Sequence, residues 1–360
     1  MGTHPKATSI AIDDQREIPL PDLIQDDPEA FLGDSVASRF NGELPFLFKL
    51  LAAEKALSIQ AHPNLSQAHA GFERENKQGI PIDAHNRNYR DPNHKPEVLC
   101  ALTPFWVMCG FRPVDQIVAN LRFLQDTVVC KQYDELSKKP GVKTVRRLFS
   151  TLLDLDKKAV DAVVTLACLE YQSTDTEADA PAKWVKKLKD QQPGDIGVIS
   201  PLLLNTYLLK PGEAIFLDAG ELHAYLEGFG VELMANSDNV LRGGLTAKHV
   251  DRDELIRTLT FKAEAIPVLS GLEVSPGLTV YQTSAEEFRL SRISVSENRK
   301  YEAQVDRNAE ILIVTEGACS LRSGAGDGLE LVQGESVFVP ASSPPYNISG
   351  KATLYRATVP

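Results

Sequence analysis

The chain has 360 residues, 43% of them hydrophobic, and a formal net charge of -11. That length suits about two domains with substantial cores, and the acidic balance argues against nucleic acid as the main partner, since phosphate backbones are bound by spread positive charge. No apolar run reaches membrane-span length, the N-terminus lacks a signal pattern, and the five cysteines show no C-x-x-C spacing, so membrane insertion, a disulfide framework and a thiolate metal site are not expected and a reducing, cytoplasmic setting fits.

Pro21 to Phe40 has interrupted helical spacing, limited to short helices by Pro28 and Gly33. Pro45 to His62 is apolar and then alternating, with a polar break at Glu54-Lys55, and reads as two strands joined by a turn. Ser66 to Lys77 is polar and helix-compatible, closed by Gly79 and Pro81, with His69 and His85 in solvated surroundings. The apolar runs on either side of Thr103-Pro104 fit strands buried on both faces. Beyond Pro113 apolar residues recur at three and four spacing to about Gln192, which predicts a helical insertion whose weak point is a disordered loop at Ser173 to Ala182. The β pattern is expected to return at Ile196, Asp251 with Glu254 to open a helix in capping-box style, and Ile266 to Pro360 to form many short strands.

An internal repeat organises this layout. PGEAIFLDAGELHAY from Pro211 and QGESVFVPASSPPYN from Gln333 match at a constant offset, as two copies of one β unit would. The second copy has Pro345 where the first has His223, so the chemistry falls to the first. Gln60 and His62 are two apart in a strand and point to one face. The segment Asp91 to Glu97 (DPNHKPE) offers a carboxylate, and Leu222 to Tyr225 (LHAY) another imidazole after a turn. Two nitrogens and two oxygens suit a divalent cation such as zinc. Ser58 shares the face of Gln60 and His62, where its hydroxyl can meet a phosphate oxygen, and Tyr225 is placed to line the same pocket. Lys95 and Glu97 are two apart, so an extended segment would put both on one face and His94 on the other, with Pro96 as an irregularity.

A strand, a Pro-Gly or Gly-Glu turn, an apolar strand, a further turn and His resembles the second half of a cupin-type jelly roll. More specifically, LSIQAHP, DPNHKPE, LKPGEAIFL followed by HAYL, and ANSDNVLRGGLT resemble the type I mannose-6-phosphate isomerases, together with GELPFLFK and ALTPFWVMCGFRP, all in the family's order. The resemblance implies a mainly β fold of two cupin-like jelly-roll units with an α-helical insertion. A catalytic unit would occupy 1–112 and 195–258, the insertion 113–194, and a C-terminal cupin-like unit without a metal site 259–360.

It also implies an aldose-ketose isomerase that interconverts mannose 6-phosphate and fructose 6-phosphate and feeds GDP-mannose synthesis. One zinc per chain would be held by Gln60, His62, Glu97 and His223. Arg242 matches the family's catalytic arginine, and His94, Lys95 and Asp238 are offered for acid-base work without a choice among them; Lys95 is also assigned to substrate or phosphate. A sugar phosphate is the expected partner and a monomer the expected state. In the family MGTHP is an internal motif preceded by a strand, so the chain reads as N-terminally shortened, with a loosened wall near Thr3, His4 and Lys6. Two alternatives stand beside this reading: an inactive sugar-phosphate-binding paralogue, and a cupin Fe(II) oxygenase, because two histidines and a carboxylate also make a facial triad. Arg242, Lys95 and Gln60 as a fourth ligand weigh against the oxygenase.

Overall fold

The structure is a computed structural model that describes residues 1–13, 16–171, 180–324 and 328–360. A hairpin of β1 (Ile10–Asp13) and β2 (Arg16–Pro19) leads into three short helices, α1 (Leu20–Asp26), α2 (Pro28–Leu32) and α3 (Asp34–Arg39). Pro28 sits in the first turn of α2, where its missing N–H costs nothing, and Gly33 at φ 93° ends that helix. Next come β3 (Phe46–Ala53), β4 (Ile59–Ala61) and α4 (Leu65–Lys77). Asn64 caps α4 in a reciprocal box with Gln67. The strands β5 (Glu97–Ala101) and β6 (Phe105–Phe111) are buried along their whole length, as their continuous apolar runs require.

The helical stretch consists of α5 (Val114–Asn120), α6 (Cys130–Lys138), α7 (Val142–Leu153), α8 (Lys157–Glu170), α9 (Ala180–Gln191) and α10 (Ser200–Leu203). The loop expected at 173–182 lies largely outside the described residues, and α9 already begins at Ala180. The return to β structure at Ile196 is corrected. Asp195 caps a 3₁₀ turn over Ile196–Ile199 through the Gly197 N–H, 2.7 Å away, and Pro201 lies in the first turn of α10. The apolar residues Val198, Ile199, Leu202 and Leu203 are therefore buried among helices, and β7 (Leu204–Leu209) starts only after them. The chain continues through β8 (Ala214–Leu217), β9 (His223–Ala235), β10 (Leu241–Gly244), α11 (Arg252–Thr258) and β11 (Val268–Leu269). Asp251 accepts from the Glu254 N–H as a cap should, but the Glu254 carboxylate does not return to Asp251; it accepts from Tyr89 Oη at 2.7 Å and Arg74 Nη2 at 2.8 Å.

The remainder is β: β12 (Leu272–Ser275), β13 (Leu278–Tyr281), β14 (Arg289–Val295), β15 (Tyr301–Glu302), β16 (Glu310–Ser323), β17 (Leu329–Val332), β18 (Ser336–Val339) and β19 (Tyr346–Thr358). Among the described residues, β3 to β11 join in one sheet system and β12 to β19 in another. These two antiparallel assemblies have the mainly β, cupin-like jelly-roll character expected. In the first, β9 is the seam: its start pairs with β4 and β6, its end with β3 and β5. In the second, β19 pairs with β14, β15 and β16. The repeat is visible in space, since β8 and β18 coincide under the constant offset and β9 and β19 each run 13 residues. One buried cluster spans both assemblies, with Phe46, Phe48, Val98 and Val231 packed with Tyr281, Phe288, Ile311 and Tyr355. No helix among the described residues is long and apolar enough to cross a membrane.

Candidate metal centre

The sheet register explains why residues distant in sequence converge. Gln60 in β4 lies directly opposite His223 at the start of β9, while Glu97 opens β5 between Leu217 of β8 and Met234 of β9. A turn with Gly220 at φ 77° delivers the chain to His223, and the Gly220 N–H donates to the His62 carbonyl at 2.8 Å, tying the two histidine segments together. A side chain at 220 would run into the Thr258 carbonyl, so the turn needs glycine on two counts.

His62, Glu97 and His223 are each about 1% exposed, and their donor atoms all lie within 4.8 Å of one another. His62 Nε2 is 3.4 Å from Glu97 Oε1 and His223 Nε2 is 3.5 Å from Glu97 Oε2. Each imidazole has its other nitrogen engaged: His62 Nδ1 lies 2.7 Å from the Asn239 carbonyl and His223 Nδ1 3.0 Å from the Glu221 carbonyl. A carbonyl accepts only, so Nδ1 carries a proton in both rings and each Nε2 is left facing the carboxylate. Burial first, and then the Lys95 charge, bring the His62 pKa down to about 4, so this ring is neutral at pH 7, the form that ligates a metal. His62 Nε2 is buried without a hydrogen-bond partner. An orphaned buried lone pair is costly unless something electrophilic belongs beside it. The Gln60 amide ends 3.3 Å from His223 Nε2, and with the amide turned over its oxygen joins the set. Two imidazoles, a carboxylate and an amide oxygen, with no thiolate, fit zinc.

Around these donors lies a charged network, part of which the sequence did not disclose. Lys95 Nζ contacts Glu97 Oε1 at 3.0 Å, and the side chain is 9% exposed. Burial acts to lower the Lys95 pKa, but Glu97, Glu232 and Asp238 reverse the effect and hold it raised. Burial likewise acts to raise the Glu97 carboxyl, yet Lys95 and the two histidines keep it well below the usual carboxylate range. Lys49 of β3 lies opposite Glu232 of β9 and bonds it at 3.2 Å. Both were missed; the available signal was a lone charge inside each of two apolar strands, FLFKLL and GVELMA. Asn239, fully buried, was also missed: its amide binds the backbone at Arg90, Asp91 and Asn93 while its own carbonyl fixes His62.

The remaining sequence candidates fall in different places. Arg242 is the cross-strand neighbour of Gln60 and so shares its face; it is half-buried, and burial and the nearby Arg90 charge lower its pKa. Asp238 sits at the rim, bonded to His4 at 3.1 Å and Lys6 at 2.7 Å, so the N-terminal segment forms part of this wall. Ser58 is half-buried and immediately precedes β4. Tyr225 Oη reaches Glu97 Oε2 at 3.4 Å, and burial, then Glu97, raise its pKa well above normal. His94 turns away from Lys95 and meets Glu287 of the second assembly at 2.6 Å. His69 and His85 are exposed, as expected.

Comparison with known proteins agrees with this geometry. Residues 1–114 match the family described as phosphomannose isomerase type I, catalytic domain, and residues 278–359 the mannose-6-phosphate isomerase cupin domain. The chain is 39% identical over 358 residues to mannose-6-phosphate isomerase of Escherichia coli strain K12, covering 99% of this chain and 89% of that protein. It is 34% identical over 381 residues to mannose-6-phosphate isomerase 2 of Arabidopsis thaliana, covering 100% of this chain and 83% of that protein. A crystal structure of zinc-bound mannose 6-phosphate isomerase superposes with a TM-score of 0.91 at 38% identity, covering 100% of this chain and 90% of that one. A single-residue mutant of phosphomannose isomerase from Salmonella typhimurium gives a TM-score of 0.91 at 37% identity over the same shares. The chain thus belongs to the type I mannose-6-phosphate isomerase family.

Proposed function

We propose that this protein is a zinc-dependent isomerase that interconverts mannose 6-phosphate and fructose 6-phosphate. The observation that carries the reading is the buried trio of His62, Glu97 and His223, with His62 Nε2 unpartnered and a lysine and an arginine on the adjoining faces. Gln60, His62, Glu97 and His223 would hold the zinc, which supplies fixed positive charge for the sugar oxygens when bound. Moving a carbonyl between C1 and C2 takes a proton from one carbon and returns it to its neighbour through an enediol. Arg242 would stabilise the developing oxyanion, for which a guanidinium that keeps its charge is suited. Lys95 and Asp238 border the centre and are the nearer acid-base candidates; His94, held by Glu287, would serve the same chemistry only from the far side of its segment. Ser58 and Lys95 would meet the substrate's oxygens, and Tyr225 would wall the pocket behind Glu97.

In the division of labour we infer, 1–112 and 195–258 form the catalytic unit, 113–194 the helical insertion, and 259–360 a companion without a metal. The product side would feed GDP-mannose synthesis in the cytoplasm, with the protein working as a monomer. The deciding experiment loads the purified protein with zinc, supplies mannose 6-phosphate, and follows fructose 6-phosphate before and after chelation. Reversible isomerisation that chelation abolishes and zinc restores is expected. Oxygen uptake with Fe(II) and no isomerisation would favour the oxygenase, and sugar-phosphate binding without turnover the inactive paralogue.

A further inference from the structure

The second assembly has no histidine at the position of His223, yet it reaches the metal-ligand segment of the first. The contact is made by the turn between β13 and β14, which carries the consecutive acids Glu286 and Glu287. Ala285 and Phe288, on either side, are 8% and 0% exposed and sit in the core cluster that joins the two assemblies. That packing fixes where the two carboxylates point.

Their surroundings differ. Glu286 pairs with Arg39 of α3, but its side chain is 76% exposed, so water and salt screen the pair. Glu287 is 15% exposed and holds His94 Nε2 at 2.6 Å, its other oxygen accepting from the Glu286 N–H. The bond to Glu287 raises the His94 pKa, which favours a charge-assisted pair. His94 is followed directly by Lys95, Pro96 and Glu97. On the opposite side the same segment is held by Asn93, whose carbonyl accepts from Asn239 Nδ2 at 2.8 Å, and by the Pro96 carbonyl, which accepts from the Ala235 N–H at 3.1 Å. The segment is thus gripped from the first assembly through 93 and 96, and from the second through 94. Lys95 lies between these grips, its ammonium 3.0 Å from Glu97.

We propose that Glu287 is a positioning residue for the isomerase reaction: by holding His94 it fixes the 94–96 backbone so that Lys95 meets Glu97 at the metal centre. This assigns the metal-free second assembly a part in catalysis beyond stabilising the fold, and it rests on the isomerase reading above. Wild-type turnover is measured first, because its absence overturns that reading and this role together. With turnover established, Glu287→Ala and Glu287→Gln should each lower kcat on the order of 10-fold, less than the roughly 10²-fold that a 1 Å misplacement at the reacting groups costs. Zinc content and melting temperature should stay near wild type. Glu287→Asp should recover part of the loss, and Glu286→Gln should leave kcat and KM unchanged. In a double-mutant cycle with His94→Ala, the effects of Glu287→Ala and His94→Ala should not add, because both break the same contact. Wild-type kcat and KM in Glu287→Ala would overturn the proposal. So would a loss that is fully explained by missing zinc or by unfolding, or one that adds independently to His94→Ala.

Discussion

Glu97 and Glu310 occupy the same place in two copies of one β unit, and what surrounds each decides what each assembly can do. Glu97 lies opposite Leu217 of β8, and Glu310 lies opposite Val339 of β18, the residue that matches Leu217 in the repeat. Both carboxylates are about 1% exposed and need compensating positive charge. In the first assembly Lys95 gives part of it, and two imidazoles turn their Nε2 atoms toward the carboxylate. In the second, Arg356 Nη1 donates to Glu310 Oε1 at 2.9 Å, Tyr346 Oη donates to Oε2 at 2.6 Å, and Arg307 Nε stands 3.7 Å from Oε2. Guanidinium groups keep their charge and cannot be exchanged for a solute cation. The same buried carboxylate is therefore part of an open, metal-ready centre in one copy and of a closed internal ion pair in the other.

The largest effects should come from exchanging an element of the open centre. His223→Ala should reduce zinc content to background and remove isomerase activity with it. Arg242→Ala should keep zinc but lower kcat by roughly 10²- to 10³-fold, as expected for loss of one transition-state charge stabiliser. Metal analysis beside steady-state kinetics separates the two; zinc loss in the Arg242 variant would place that side chain among the structural supports instead. In the closed centre, Glu310→Ala should leave zinc content unchanged and cost stability of roughly 3–5 kcal/mol, because it strands a buried guanidinium. Urea unfolding measures this, and a change under about 1 kcal/mol would mean that water already reaches Arg356.

These contrasts also show what could be read from the chain. The cluster of His62, Glu97 and His223 was approachable from short motifs: His62 with Gln60 by the alternation of one strand, His223 by the turn before it, and Glu97 through the family resemblance of DPNHKPE. The repeat was legible because its two copies match in one local pattern at a constant offset, with Pro345 standing in the place of His223. Lys49 with Glu232, His94 with Glu287, and Glu310 with Arg356 were not, because each pair depends on a strand register or a packing of two assemblies that no local window contains. The helical turn at 196–203 was misread as strand because a short buried apolar run looks alike in either state, and the decisive feature was Asp195 acting as a cap.

A smaller effect follows from protonation of the open centre. His62 titrates at about 4 in the folded chain, against the usual value near 6.5 when unfolded. Between those pH values the unfolded chain binds a proton that the folded one does not, so stability rises with pH and is lost as acid is added. For the metal-free protein the full loss is about 3 kcal/mol. His94 works in the opposite sense: its raised pKa favours the fold below about 6.5 and fades as pH rises through its folded value, and partial exposure keeps that contribution small. Melting temperatures of the metal-free protein should therefore fall from pH 6.5 toward pH 4, and His62→Gln should flatten that slope. An equally steep slope in the variant would assign the acid sensitivity to another group.

The smallest expected effect tests the comparison most directly: Pro345→His restores the histidine that the second copy lacks, and it should gain almost nothing. Pro345 is exposed and precedes β19, so the substitution removes only a ring constraint, worth roughly 0.4–1 kcal/mol through the unfolded state. Gln60 faces His223 in the pairing of β4 with β9, and in the second copy β15 pairs with β19 at Ile348 and Asn347, after which the Ala303 N–H donates to the Tyr346 carbonyl at 2.9 Å. The carboxylate that would complete a site is already bonded to Arg356 and Tyr346. Zinc should stay at one equivalent per chain in Pro345→His, measured by elemental analysis after exchange into a zinc-buffered solution. If the single variant took up a second equivalent, the guanidinium would not be what closes the second centre. If the second equivalent appears only when Arg356→Leu is added, the carboxylate is the shared feature of both copies and the arginine is what separates their functions.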